Sequence, residues 1–291
     1  MFKQMNKLKQ HKTKIMKKLL IIVFGLLSMG VFAQDEESDA AQSRESAALD
    51  ATATQWSFQL AYQWMPDYYD DLVNGEPRAP GLDNYLQLRV VAPIPLKKIT
   101  ILPRLTVRHY EDVATGKTGL GNTELFALIV PKFSDWGTGR AGIGPLVTFP
   151  GNPDVAKDEW GYGFAAIIVN NTGQWFYGLL LTQSWRAVDP NSLSPEQSDT
   201  NPLGISPFVN YRIGSTGLYL GTADMVALYD WMGGGFYFPF GLRFGKVWVF
   251  DKGSLNVYAE YRTSAVYKNW EGSAVKNSYR LNVSYTIPLS F

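Results

Sequence analysis

The sequence predicts an all-β fold, a transmembrane antiparallel up-and-down β-barrel of about 12 strands. Three observations predict it. Apolar and polar residues alternate with period two along the body of the 291-residue chain, which marks strands with one apolar and one polar face. The connections between these strands alternate long and short. An export signal precedes them, and no apolar run long enough for a membrane helix follows.

The export signal occupies residues 1–33. Lys3, Lys7, Lys9, Lys12, Lys14, Lys17 and Lys18 come first, then the apolar run LLIIVFGLLSMGVFA over 19–33. Val31 and Ala33 before Gln34 supply the small-residue cleavage pattern of a secretory signal peptide. The run is shorter than the roughly 20 residues of a helical span. MKKLL at Met16 offers a second start of translation. Cleavage removes seven of the 27 basic residues and none of the 26 acids, leaving a net charge of −6. The absence of cysteine fits a domain without disulfides and excludes no compartment.

Residues 34–54, QDEESDAAQSRESAALDATAT, carry six acids and no aromatic residue. Such a composition buries little apolar surface, so this segment is expected to be a flexible acidic periplasmic leader. Residues 55–291 form the barrel. With the leader's acids set aside the body is close to charge balance, and nothing in it points to nucleic acid.

The strands follow in order. WSFQLAYQW places Trp56, Phe58, Leu60, Tyr62 and Trp64 on one face. YLQLRVVAPI does the same with Leu86, Leu88, Val90, Ala92 and Ile94, and ITILPRLTVRHY with Ile101, Leu105 and Val107. Weaker alternation covers 122–132, 140–149, 160–169, 175–186, 204–212, 218–224 and 236–249. LNVYAEYRT and the terminal YRLNVSYTIPLSF complete the set. The long connections are 66–84, 111–121, 150–159, 187–203, 225–235 and 268–277. The short ones fall near 95–98, 134–139, 170–174, 213–217 and 251–254. Outer-membrane barrels of Gram-negative bacteria have an even strand number, short periplasmic turns and longer outer loops. Aromatic residues near strand ends, such as Trp56, Trp64, Tyr110, Trp160, Trp175, Trp185, Tyr211, Trp231 and Trp248, suit two interfacial girdles. A secreted β-sandwich would leave the loop alternation unexplained, and also Phe236, Phe238, Phe240 and Phe244 along one strand. The final strand is expected to close against the first, so that no edge stays unpaired in lipid.

The polar face lines the lumen. By parity it carries Gln87, Arg89, Arg104, Thr106, Arg108, Glu124, Arg212, Arg243, Glu260, Arg262, Arg280 and Asn282. Two readings stay open. The arginines form a cationic constriction that passes anionic or polar solutes, or they pair with Glu124 and Glu260 in a structural network that fills the lumen. Arginine suits planar, bidentate pairing with carboxylates.

Several stretches resemble a known family. TGLGNTELFALIVPK (118–132), GIGPLVTFP (142–150), GQWFYGLLLTQSW (173–185), SPFVNYRI (206–213) and FYFPFGLRFGKV (236–247) look like the outer-membrane transporter family linked to the meta-pathway of phenol degradation. The resemblance covers most of 85–291 and specifies the barrel more than the substrate. It implies passive uptake of small, aromatic molecules. The family commonly has an acid after Gly-Leu-Gly, whereas this chain has Asn122 there and Glu124 two residues on. Phe291 at the end of an amphipathic strand resembles the signal read by the bacterial barrel-assembly machinery.

An enzyme is the competing class. Most barrel hydrolases need a histidine base, and after cleavage only His109 remains. It falls on the lipid-side parity, beside Tyr110, Glu111 and Asp112, where an interfacial histidine is the simpler reading. Asp70-Asp71 and Glu111-Asp112 read as loop charge, and no cluster has metal-ligand spacing. A third class is a non-conducting structural or ligand-binding surface barrel with long outer loops. The expectation is a monomeric outer-membrane, porin-like channel without catalytic residues, metal or cofactor. Its partners are outer-membrane lipids, the assembly machinery and a small solute.

Overall fold

The computed structural model describes residues 45, 47–50, 52–69, 72–73, 76–77, 84–112, 115–156, 158–186, 201–270 and 274–289. The export signal over 1–33, the acid pair Asp70-Asp71 and the terminal Phe291 lie outside them.

Twelve strands form the wall. They are β1 (Gln55–Tyr68), β2 (Asn84–Val91), β3 (Ile99–Asp112), β4 (Thr123–Pro131), β5 (Gly139–Phe149) and β6 (Gly161–Thr172). They continue as β7 (Trp175–Arg186), β8 (Pro202–Arg212), β9 in two halves (Leu218–Thr222 and Ala227–Asp230), β10 (Phe236–Phe250), β11 (Gly253–Lys268) and β12 (Val275–Pro288). Each is antiparallel to both neighbours. β12 pairs with β1 from Gln55↔Pro288 through Leu60↔Val283 to Trp64↔Tyr279, which closes the barrel. In lipid no water can satisfy a free edge, so this closure is the condition for crossing.

Both β1 and β12 meet the same end of the barrel, called proximal here. The proximal connections are short, covering 92–98, 132–138, 173–174, 213–217 and 251–252, whereas the distal ones include 69–83, 150–160 and 187–201. Lys117–Leu120 extends β3 as a distal hairpin. Leu72–Val73 and Glu76–Pro77 pair separately. Pro239 lacks an N–H for the ladder, and a register shift falls between Phe238 and Pro239, where a proline is tolerated.

Parity separates the two faces. Trp56, Phe58, Leu60 and Tyr62 of β1 are exposed on the outside, whereas Ser57, Ala61 and Gln63 are buried inside. On β12 Tyr279, Val283, Tyr285 and Ile287 face out, and Ser278, Arg280, Asn282, Ser284 and Thr286 face in. The outer surface is a continuous apolar band that a bilayer covers. Ring pairs mark its rims, with Trp175 on Tyr211 at 4.7 Å proximally and Phe149 on Trp160 at 5.1 Å distally. Trp56 and Trp64 lie eight steps apart on β1, about 27 Å along the strand. Tilted by about 40°, that is roughly 20 Å of membrane normal, near the apolar height of such barrels.

One element departs from the sequence reading. The alternation suggested a strand over 218–224 and a long connection over 225–235. The wall instead breaks at 223–226 and resumes at Ala227–Asp230, leaving 231–235 as the distal connection. The physical reason lies in the lumen and is described below.

Leu88 faces outward midway along β2, between Leu60 of β1 and Val107 of β3. Leu88→Arg is expected to lower barrel stability in lipid vesicles by about 2–4 kcal/mol, measured by denaturant unfolding. An unchanged midpoint would place this face in water.

Candidate functional site

The alternation that makes the outside apolar concentrates charge inside, because an arginine facing the bilayer midplane costs about 2–4 kcal/mol. β2 supplies Arg89, β3 supplies Arg104 and Arg108, β4 supplies Glu124 and β10 supplies Arg243. β11 supplies Glu260 and Arg262, and β12 supplies Arg280. Each shares the inward face of its strand with buried neighbours such as Gln87, Thr106, Phe126, Ser264 and Asn282. Twelve strands about 4.8 Å apart and tilted by about 40° enclose a backbone circle about 24 Å across. Extended arginines from opposite walls therefore narrow the lumen well below that width.

The pairings are specific. Arg108 Nη2 lies 3.8 Å from Glu124 Oε2, and its Nε donates to Gln87 Oε1 at 3.1 Å. Arg89 Nε donates to Thr106 Oγ1 at 3.3 Å. Arg243 Nη2 lies 3.5 Å from Glu260 Oε2 and its guanidinium covers the Tyr258 ring at 4.5 Å.

The hub of this network is a residue that the sequence reading missed. At the break in β9 the chain turns into the lumen, with Met225 N donating to the carbonyl of Ala223 at 2.8 Å. Ala223 N donates to the carbonyl of Gly241 at 3.0 Å. A Cβ at Gly241 would sit 2.9 Å from Ala223 Cβ and 2.2 Å from the Tyr261 carbonyl oxygen, so the close approach needs glycine. The turn carries Asp224 inward. Its carboxylate lies 3.7 Å from Arg89 Nη2 and 3.6 Å from Arg280 Nη1. Its backbone N–H donates to Glu260 Oε2 at 3.2 Å, and its carbonyl accepts from Arg262 Nη1 at 2.6 Å. One kink in β9 thus ties β2, β10, β11 and β12 together across the lumen. An opposite-charge pair at this separation attracts by about 4 kcal/mol at an effective dielectric near 20, before desolvation is set against it. Arg89, Arg262 and Arg280 gathered without Asp224 would repel one another. The only sequence signal is an acid where TADM interrupts the alternation at the end of an expected strand.

Among the described residues the belt holds six arginines and three carboxylates, Glu124, Asp224 and Glu260. The excess is three positive charges. Distal to it opens a cavity of about 480 Å³ with Arg108 and Glu124 at its floor. Tyr110, Asn122, Thr148 and Ser184 give it polar walls, and Val155, Pro202 and Leu228 apolar ones. Its volume falls in the range of small-molecule sites, and its lining is more polar than theirs.

Proximal to the belt the lumen wall turns apolar. Leu102, Phe126, Leu128, Val130, Leu146, Ile167, Val169 and Phe176 form one buried cluster on β3 to β7, and Tyr219, Val247 and Tyr258 a second on β9 to β11. Leu49 packs against both. Glu45 and Ala47–Leu49 form a helical turn, and Thr52 and Ala53 are buried. Of the leader expected over 34–54, the described part, 45, 47–50 and 52–54, lies within the proximal lumen. The reason is local. Asp50 Oδ2 accepts from Arg140 Nη2 at 2.8 Å, and Asp50 Oδ1 accepts from Thr52 N at 2.7 Å. The barrel wall supplies the apolar partners that the segment's own composition lacks. Burial pushes the Glu45 carboxyl above its ordinary value, while Arg212 and Lys246 pull it down.

Arg212 is inward and buried but stands apart from the belt, at the proximal end, where its Nη2 donates to the Gly173 carbonyl. His109 points outward and pairs across the ladder with Leu86 and Leu120, away from every lumen carboxylate. Glu111 accepts from Asn84 Nδ2 at 3.0 Å, and Asp112 caps the turn at Thr115. Among the described residues no group of three or more histidine or acidic side chains could hold a metal ion.

No protein-family model matches the chain, and no curated protein does either. Solved structures do. The crystal structure of an outer membrane channel from Pseudomonas putida F1 matches with a TM-score of 0.59 at 17% identity, over 80% of this chain and 95% of that one. The NanC porin matches with a TM-score of 0.51 at 13% identity, over 78% of this chain and 98% of that one. At such identities the likeness is one of fold.

Asp50→Ala is expected to release the leader from Arg140. Faster amide exchange over 47–54 with an unchanged barrel would show it, and unchanged exchange would contradict the account. The raised carboxyl of Glu45 sets a sign for pH. Seating gains stability from its protonated form, fully present below the ordinary value of 4.5 and lost as pH rises through the raised one. Protection from exchange at 47–54, with the intrinsic pH dependence of amide exchange divided out, is therefore expected to fall over that rise, and Glu45→Gln to flatten the fall.

Proposed function

We propose that this chain is a monomeric outer-membrane channel that passes small organic or inorganic anions, including aromatic ones, passively through its arginine belt. It would reach the membrane by Sec-type export and insert through the barrel-assembly machinery, with outer-membrane lipids around it. The observation that carries this reading is the excess of three positive charges in the belt, set where the Asp224 kink reaches across the lumen. A cationic ring on a partly dry wall draws anions in and holds cations off. The carboxylates keep any one binding step weak, which passage requires. The distal cavity collects the solute, Arg108 and its neighbours take its charge, and the kink limits its size. Fold likeness to proteins described as an outer membrane channel and a porin supports the reading. The resemblance of 118–132 and 236–247 to the phenol-degradation transporters supports an aromatic cargo. No reacting group takes part, since the inward residues bind and repel.

The test is single-channel recording of the refolded mature protein in a planar bilayer, with a reversal potential across a salt gradient. Steady conductance with anion preference is expected, and Arg108→Gln is expected to shift the reversal potential toward cations. Cation preference, or no conductance from a folded barrel, would overturn the proposal and leave the belt as a structural network.

A further inference from the structure

The distal cavity holds more than a charge pair at its floor. Arg108 Nη2 and Glu124 Oε2 lie 3.8 Å apart, beyond hydrogen-bond length. Both side chains keep part of their surface open to the lumen, 22% for Arg108 and 37% for Glu124. Glu124 shares a ladder row with Thr148 of β5, which pairs in turn with Gly161 of β6. A Cβ at Gly161 would meet Ser184 Oγ at 2.8 Å and Thr148 Cβ at 3.2 Å. The missing side chain lets the hydroxyls of Thr148 and Ser184 approach to 3.5 Å across β6. Tyr110, two residues distal to Arg108 on β3, adds a third hydroxyl to the lining. One cation, one carboxylate and three hydroxyls thus face a space of about 480 Å³, which has room for a single sugar ring.

We propose that this cavity is a binding site for a hydroxylated carboxylate, a sugar acid in chemical class. The carboxylate of the solute accepts charge-assisted hydrogen bonds from Arg108. Its hydroxyls donate to Glu124, whose carboxylate can only accept, and exchange hydrogen bonds with Thr148 and Ser184. A simple anion would leave Glu124 facing a like charge with no donor offered to it, and a neutral polyol would leave Arg108 without its anion. An ammonium group would satisfy Glu124, but the belt beneath holds an excess of three positive charges, which disfavours it. A lining rich in hydroxyls suits a solute that must keep its own hydroxyls hydrogen-bonded on leaving water. The inference deepens the channel reading and rests on it for the solute's onward passage, whereas binding in the cavity does not.

The experiment is isothermal titration of the refolded mature chain in detergent with glucuronate, acetate and glucose. Glucuronate is expected to bind about tenfold or more tighter than either of the others. Arg108→Gln, checked for folding by heat-modifiable gel migration, is expected to weaken glucuronate about tenfold. Thr148→Val combined with Ser184→Ala is expected to cut the preference for glucuronate over acetate about tenfold, and it keeps the test available if Arg108→Gln does not fold. Glucuronate binding no tighter than acetate or glucose, or a preference untouched by the paired hydroxyl substitutions, would overturn the site. Bilayer recording separates the two proposals. Glucuronate binding without conductance sinks the channel and keeps the site, and conductance without glucuronate binding does the reverse.

Discussion

One carboxylate among arginines organises the interior of this barrel. Asp224 is delivered to the lumen by main chain and not by a long side chain, because β9 breaks and folds inward against Gly241. From there it meets Arg89 on β2 and Arg280 on β12, while its backbone engages Glu260 and Arg262. Without it, like charges would face each other across a space about 24 Å wide at the backbone and much narrower between side chains. With it, the belt keeps an excess of positive charge and still has a defined geometry.

Three layers follow along the lumen. The distal cavity is mixed in character, the belt is charged, and the proximal half is apolar and carries the leader. The strand wall fixes this order, since each inward residue is held by ladder pairing on both sides. Leu49 joins two apolar clusters from opposing walls, and Asp50 joins Arg140. The lumen thus has its own small core beside its polar network. Paired arginines and apolar contact both restrain the wall.

Much of this was legible in the sequence. Lipid tolerates no polar interruption on the outer face, so Trp56 to Trp64 and Tyr279 to Ile287 announce their orientation without help from tertiary context. The inward arginines follow by parity, and the loop alternation sets the number of strands. Two features were not legible. Asp224 depends on a main-chain break stabilised by partners on β10, β11, β12 and β2, which no local pattern reveals. The leader's seat depends on an apolar lumen wall whose residues, Leu128, Ile167 and Phe176 among them, lie on strands of weaker alternation. For those strands parity alone could not say that the inside turns apolar toward one end.

The most direct test of the central claim is a double-mutant cycle between Asp224 and Arg89, with Asp224→Ala, Arg89→Ala and the double variant unfolded in denaturant from lipid vesicles. A hub that reaches across the lumen predicts a favourable coupling of at least about 1 kcal/mol. It also predicts that Arg89→Ala harms less when Asp224 is already gone. Strict additivity of the two substitutions would contradict the account, because it would mean that β9 and β2 do not meet through this pair.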